Sequence, residues 1–209
     1  MMARTGSSPT SSNARTMATR DISRKTDIDC PKSSWHPSPL IGQVVLVSSI
    51  SARGRVHAAR KSWITMVSEH PPMLGLCCRL SHRTAINILE TRDFVVNIPG
   101  GNLVPRLWKD SGRFPAARED ETGDWTFGPS TKVRAPRIME GRAHIECHLD
   151  STKRLGEEDL MFFARIVTVS VDQALLRGAL AQRYRNLEPV FYLEEGFFGL
   201  IDSAHKIPE

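Results

Sequence analysis

The chain is predicted to be mostly β, a barrel or sandwich with a few short helices. Three observations predict this. Short β-branched or alternating runs recur from Val44 onward, separated by Gly- and Pro-bearing turns. Only brief segments carry apolar residues at helical spacing. No internal repeat and no strand–helix alternation suggests a parallel sheet.

The elements follow in order. Residues 1–36 are rich in Ser, Thr and Arg and poor in large apolar side chains. They read as a disordered tail, because they bury too little surface to offset the entropy of ordering. A basic leader of this kind also has the composition of an organelle transit peptide, and Met17 is an alternative start. The folded domain is expected over residues 37–209. Val44 to Ile50 is a nearly continuous apolar run, hence a buried strand. Ser51 to Arg55 is a hairpin turn, with Gly54 available for positive φ. Val56 to Ile64 returns as a second strand. Met66 to Pro72 is expected to be a loop, with Pro71 and Pro72 ending any ladder. Met73 to Leu80 is a third strand. Ser81 to Thr91 is a short helix burying Ala85, Ile86, Ile88 and Leu89, and Phe94 to Ile98 is a fourth strand. Leu103 to Gly112 reads as helical and Pro115 to Pro129 as a surface excursion. Val133 to Leu149 is expected to hold a strand pair turning at Gly141, with Ala143, Ile145, Cys147 and Leu149 inward and Arg142, His144, Glu146 and His148 outward. Leu160 to Val171 is a long strand, Asp172 to Arg185 a helix capped by Asp172, and Phe191 to Ile201 a hairpin turning at Gly196.

Composition narrows the function classes. The 209 residues suffice for one full-sized core. No apolar run reaches the roughly 18 residues of a membrane-spanning helix, and the N-terminus lacks a secretory apolar core. Cys30, Cys77, Cys78 and Cys147 show no zinc spacing and no CxxC. Reduced thiols in a cytoplasmic protein are expected. Of the net charge of +5, the tail contributes +3, from six basic and three acidic residues. The domain itself is nearly balanced, which argues against a nucleic-acid partner. There is no GxGxxG, GxxxxGK[ST], GxSxG or HExxH.

Four places carry candidate chemistry. Ser81, His82, Arg83 and Thr84 precede a helix, whose N-terminal N–H groups and dipole favour an anion. The plainer alternative is that Ser81 or Thr84 caps that helix. Lys61, Ser62, Trp63, Thr65, Val67 and Ser68 place hydroxyls and an aromatic ring along one strand, suited to a polyhydroxylated chain and a stacked ring, although a strand Trp is more often core. His144, Glu146 and His148 have spacing that permits metal ligation, but a solvated face is the preferred reading. Cys77 and Cys78 read as buried small hydrophobes.

The order of these segments resembles the flavin reductase-like FMN-binding split-barrel family, which includes flavoredoxins. The matching residues are Val44 to Ser49, Gly54 to Ala59, Ser62-Trp63, Val67-Ser68, Pro71-Pro72, Thr84, Asn87-Ile88, Glu90-Thr91 and Phe94 to Pro99. Val133, Pro136, Ile138, Glu140, Ile145 to Cys147, Ile166-Val167, Val169 and Val171-Asp172 extend the match, which covers about residues 38 to 175. The Ser51-Ala52-Arg53 turn departs from the family's small or acidic one, and Cys77 to Leu80 has no assigned counterpart. The resemblance implies an antiparallel, Greek-key-like split barrel that forms a homodimer and binds FMN near the interface. It implies that Lys61, Ser62, Trp63, Thr65, Val67 and Ser68 line the ring and ribityl chain, and that Ser81, His82, Arg83, Thr84 and Asn87 hold the phosphate. It further implies NAD(P)H as reductant and a monooxygenase or other electron acceptor, with no catalytic side chain and no metal. Three alternatives remain: a flavoredoxin-type electron carrier that does not react with NAD(P)H, a small basic barrel binding nucleic acid through Arg53, Arg55, Arg60 and Lys61, and a relative with the FMN-binding fold that has lost its cofactor.

Overall fold

The computed structural model describes residues 40–109, 124–194 and 196–207. The expected tail, with Met17 and Cys30, and most of the Pro115 to Pro129 excursion lie outside the described residues. Gly42–Gln43 (β1) and Val45–Ile50 (β2) lead into a turn whose Gly54 sits at φ 81°. The turn closes through Ser51 N–H to Arg55 O and Gly54 N–H to Ser51 O, both at 2.9 Å. Val56–Lys61 (β3), Ile64–Glu69 (β4) and Pro72–Arg79 (β5) follow, then Arg83–Thr91 (α1) and Asp93–Ile98 (β6). A 3-10 turn at Gly101–Leu103 enters Val104–Lys109 (α2). Phe127–Gly128 (β7) and Arg137–Ile138 (β8) precede two long strands, Ala143–Leu155 (β9) and Asp159–Val171 (β10). A 3-10 turn at Gln173–Leu176, then Leu180–Leu187 (α3), Val190–Glu194 (β11) and Phe197–Leu200 (β12), complete the described chain.

Seven strands form one antiparallel sheet in the order β3-β2-β6-β9-β10-β5-β4. Its edge strands, β3 and β4, are consecutive in sequence and joined only by Ser62 and Trp63. Three peptide steps reach about 11 Å, so the sheet must curl until its edges meet at that corner. That closure makes a barrel and places the Lys61–Trp63 link at its seam. Strand β2 is covered on both faces, which suits its apolar Val45 to Val47 run, with Ser48 and Ser49 buried after it. Val45 and Val47 enter the main core with Leu74, Leu76, Phe94, Val96 and Phe162, while Val44 and Leu46 pack with Ala58, Leu103, Leu107, Ile138 and Val190. Helix α1 inserts Ala85 and Ile88 into the main core.

Several expectations are corrected. The second strand stops at Lys61, and residues 64 to 69 form β4 rather than a strand end followed by a loop. Pro72 opens β5 opposite Glu69, where an edge hairpin does not require its missing N–H. Leu89 is exposed, and the buried face of α1 carries Thr84 and Asn87 instead. Strand β8 pairs with β7, not with the strand after Gly141. Asp172 caps only the 3-10 turn, accepting from Ala174 N–H at 3.1 Å; α3 starts separately at Leu180. Glu146 is not solvated: it is 0% exposed. The segment over it supplies Thr131 N–H at 2.8 Å, Lys132 N–H at 2.6 Å and the Arg137 guanidinium at 2.5 Å.

Candidate functional site

At the barrel seam β3 delivers Lys61 to the N-terminus of α1. Its Nζ lies 3.1 Å from Nδ1 of His82, the residue preceding the helix. His82 occupies the N-cap position and no side chain caps the helix, so neither Ser81 nor Thr84 plays that part. The first N–H groups of α1 therefore retain their capacity to bind an acceptor. His57, on the same strand as Lys61, joins the group. Burial, then the charges of Lys61, Arg83 and His82, push its imidazole down to about 4. Burial likewise lowers the Lys61 ammonium, and burial with Lys61 and Arg79 lowers His82. The Lys61 ammonium, partly removed from water, and Arg83 at a helix N-terminus form a place where an anion is favoured, with His57 and His82 as uncharged neighbours at neutral pH.

The sequence-derived residues divide clearly. Lys61 meets His82 at 3.1 Å, and Arg83 opens α1 directly after it. Thr84 and Asn87 are buried on α1, and Thr84 Oγ1 and Asn87 Oδ1 have no hydrogen-bond partner. Asn87 Nδ2 donates to Ser49 Oγ at 3.1 Å, which ties the helix to β2. Ser81 is exposed beside them. Ser62 sits in the seam, where its carbonyl approaches Gly42 so closely that a Cβ there would overlap it. Trp63 is 57% exposed, while its carbonyl accepts Cys77 N–H at 2.9 Å. Its indole is thus presented to solvent from a fixed backbone, not packed in the core. Thr65 and Val67 are exposed along β4, and Ser68 pairs with Met73 at the far end of β5. The six residue steps from Met73 to Arg79 span about 20 Å, so Ser68 stands well away from Ser81. The two segments share one edge, with the cationic group at its near end.

Two functional candidates were missed. Ser49 and His57 face each other across β2 and β3, a buried polar pair beside apolar neighbours, and that mismatch was the available signal. The remaining candidates hold structure. His144 Nδ1 is 2.9 Å from Asn97 Oδ1, and His148 Nδ1 is 2.9 Å from Asp93 Oδ1. With Glu146 bound by Arg137, the three do not turn toward one point. Cys77, Cys78 and Cys147 are free and buried; burial pushes the Cys78 thiol up to about 11, away from nucleophilic use. Arg60 stacks on Trp108, 4.4 Å from the ring centroid, and donates to Leu107 O, whereas Lys61 turns to His82. The four cations proposed for nucleic acid therefore do not share one solvated face. Among the described residues no helix is long and apolar enough to cross a membrane.

Comparison with known proteins agrees with this architecture. The flavin reductase-like domain matches residues 38–199. An uncharacterised protein of Aquifex aeolicus is 29% identical over 153 residues, 69% of this chain and 76% of its own length. Among solved structures, nitrilotriacetate monooxygenase component B from Bacillus cereus superposes with a TM-score of 0.75 at 19% identity, covering 88% of this chain and all of that one. Flavoredoxin from Methanosarcina acetivorans gives 0.72 at 19% identity, covering 88% and 95%. An FMN-binding protein from Thermus thermophilus gives 0.71 at 19% identity, covering 89% and 100%. A seven-stranded antiparallel barrel, a match across residues 38–199 and these fold neighbours together lead to one conclusion: the chain belongs to the flavin reductase-like domain family and has the split-barrel fold.

Proposed function

We propose that this chain binds FMN along the Ser62 to Ser68 edge and works as an NAD(P)H-dependent flavin reductase. The observation that carries the reading is the convergence of Lys61, His82 and Arg83 on the uncapped N-terminus of α1, at the end of a hydroxyl-bearing edge strand. The donor set fits a phosphate monoester: a primary ammonium, a guanidinium, helix N–H groups and the exposed Ser81 hydroxyl. The buried, unpartnered Thr84 Oγ1 at the second residue of α1 adds a hydroxyl with hydrogen-bonding capacity to spare. The side of β4 carrying Thr65 and Val67, with the exposed Trp63 indole at its start, provides a partly apolar surface for a flat ring. When bound, FMN would supply two-electron chemistry between a nicotinamide and an acceptor. The protein's part is to anchor the phosphate at Lys61, His82 and Arg83, so that the ring's position along β4 is fixed. No side chain is assigned as acid or base.

A homodimer is part of the proposal. Val167, Val169 and Val171 stand exposed along β10, and Leu176, Leu180 and Tyr184 are exposed beyond it, apolar side chains that a second copy would cover.

Anaerobic stopped-flow mixing of the FMN-loaded protein with NADH and NADPH tests the enzymatic reading. Prompt bleaching of the flavin absorbance with one of them is the expected result. Flavin that stays oxidised for minutes with both, yet is reduced by dithionite, contradicts a reductase and identifies an electron carrier.

A further inference from the structure

Lys61 is placed differently from Lys132 and Lys153. Those two are exposed, whereas Lys61 is half-buried at the barrel seam. Its hydrogen-bond partner is an imidazole rather than a carboxylate, Nδ1 of His82 at 3.1 Å from Nζ. An ammonium can only donate, so Nδ1 is the acceptor and His82 keeps its own proton on Nε2. The pair is an amine with a base already in contact, the arrangement that activates a lysine as a nucleophile. Burial pushes the Lys61 ammonium down, so more of it stands as free amine at neutral pH than for an exposed lysine. Cys78 does not compete with it. That thiol is 4% exposed, and burial pushes it up to about 11.

The surroundings indicate which electrophile such an amine meets. His82 precedes α1, a nine-residue helix whose first N–H groups no side chain caps. Arg83 brings a guanidinium to the first turn. Thr84 Oγ1, in the same turn, is fully buried and without a hydrogen-bond partner. Helix N–H groups, a guanidinium and a spare hydroxyl suit phosphoryl oxygens. One class of reagent uses both features: an acyl phosphate, with a phosphoryl group at one end and an activated carbonyl at the other. The start of α1 holds the phosphoryl group, and Lys61 stands beside it with its base.

We infer that Lys61 is a self-acylation site, at which a small acyl phosphate docks on the start of α1 and transfers its acyl group to Nζ. One proton of the ammonium passes to Nδ1 of His82 and on to solvent. The freed Nζ lone pair attacks the acyl carbon, and a C–N amide bond forms. The C–O bond to phosphorus breaks, and phosphate leaves with that electron pair, taking up the second N–H proton. Nothing is oxidised or reduced. The amide is uncharged, so acylation removes the Lys61 anchor from the flavin phosphate. That consequence rests on the FMN reading above; the acyl transfer does not.

The test is incubation of the full-length protein with acetyl phosphate, followed by peptide mass spectrometry. Acetic anhydride serves as the reagent without a phosphoryl group. Lys61 is expected to acetylate at least about tenfold faster than Lys132 and Lys153 with acetyl phosphate, and to lose most of that lead with the anhydride. Inorganic phosphate should protect it. His82→Gln keeps an acceptor but cannot take up a proton, so it should slow Lys61 by about tenfold or more while Lys132 and Lys153 keep their rates. Lys61 labelled no faster than the exposed lysines, an equal lead with both reagents, or no protection by phosphate overturns the inference, whether or not FMN binds. Selective, phosphate-protected labelling of a protein that takes up no FMN upholds it and removes the FMN reading alone.

Discussion

Exchanging Lys61 for methionine weakens FMN binding by roughly 10- to 100-fold, the loss expected for one charge-assisted hydrogen bond of about 1.5–3 kcal/mol. Two features make this the most exposed point of the proposed site. The ammonium is partly buried, and burial lowers its pKa, so its positive charge is poorly solvated and gains more from an anion than a surface lysine does. It also stands near Arg83, a second cation whose repulsion a bound phosphate relieves, while burial and these charges keep the His57 imidazole neutral at neutral pH. Methionine keeps much of the aliphatic stem and its packing, so the change isolates the charge. Riboflavin, which lacks the phosphate, should bind the variant and the native protein alike, and the melting temperature should not fall. Equal losses for FMN and riboflavin would show instead that Lys61 supports the seam rather than the phosphate.

The largest expected effect on stability lies outside the site. Glu146→Gln should cost about 3 kcal/mol or more, the scale of breaking a buried ion pair. The carboxylate receives Thr131 N–H, Lys132 N–H and both Nε and Nη2 of Arg137, and thereby fastens residues 131–137 across β9. Glutamine keeps the shape but turns an NH2 group toward one of these donors, leaving donor facing donor. The same contacts set a pH dependence. Burial alone would raise the Glu146 pKa, but the two backbone N–H groups and Arg137 outweigh it and hold it below the ordinary value of 4.5. A carboxyl with a depressed folded-state pKa contributes stability that is complete above its unfolded value and disappears as pH falls through the folded one. The stability gap between native protein and variant, measured by urea unfolding, should therefore be widest near about pH 7 and shrink as pH drops below the ordinary carboxylate range. A gap that stays constant through that range would contradict the assignment.

The legible and illegible parts of this molecule separate on physical grounds. Strand β2 was readable because burial on both faces demands a continuous apolar run, and the hairpin at Gly54 because a positive φ favours glycine. Strand β4 was not. It is an edge strand with Thr65, Met66 and Val67 all exposed and a register shift between Met66 and Ser68, so it shows neither alternation nor a run. Its ladder is set by the neighbouring β5, which no local pattern announces. Glu146 was misplaced for a related reason. Alternation correctly put it on the face opposite Cys147, but the residues that cover this face, 131–137, arrive only by folding back. The phosphate end of the site was half legible. Ser81 to Thr84 suggested an anion site by lying at a helix start, whereas the arrival of Lys61 beside His82 is a consequence of barrel closure between β3 and β4.

The central claim is that a hydroxyl-bearing edge and a cationic helix start form one mononucleotide site. Its most direct measurement is a paired titration of the native protein with FMN and riboflavin, followed by quenching of flavin fluorescence. The account predicts one FMN per chain, with riboflavin weaker by about 100-fold or more, since the phosphate engages several charge-assisted hydrogen bonds. Equal affinity for the two flavins, or no uptake of FMN, would contradict it.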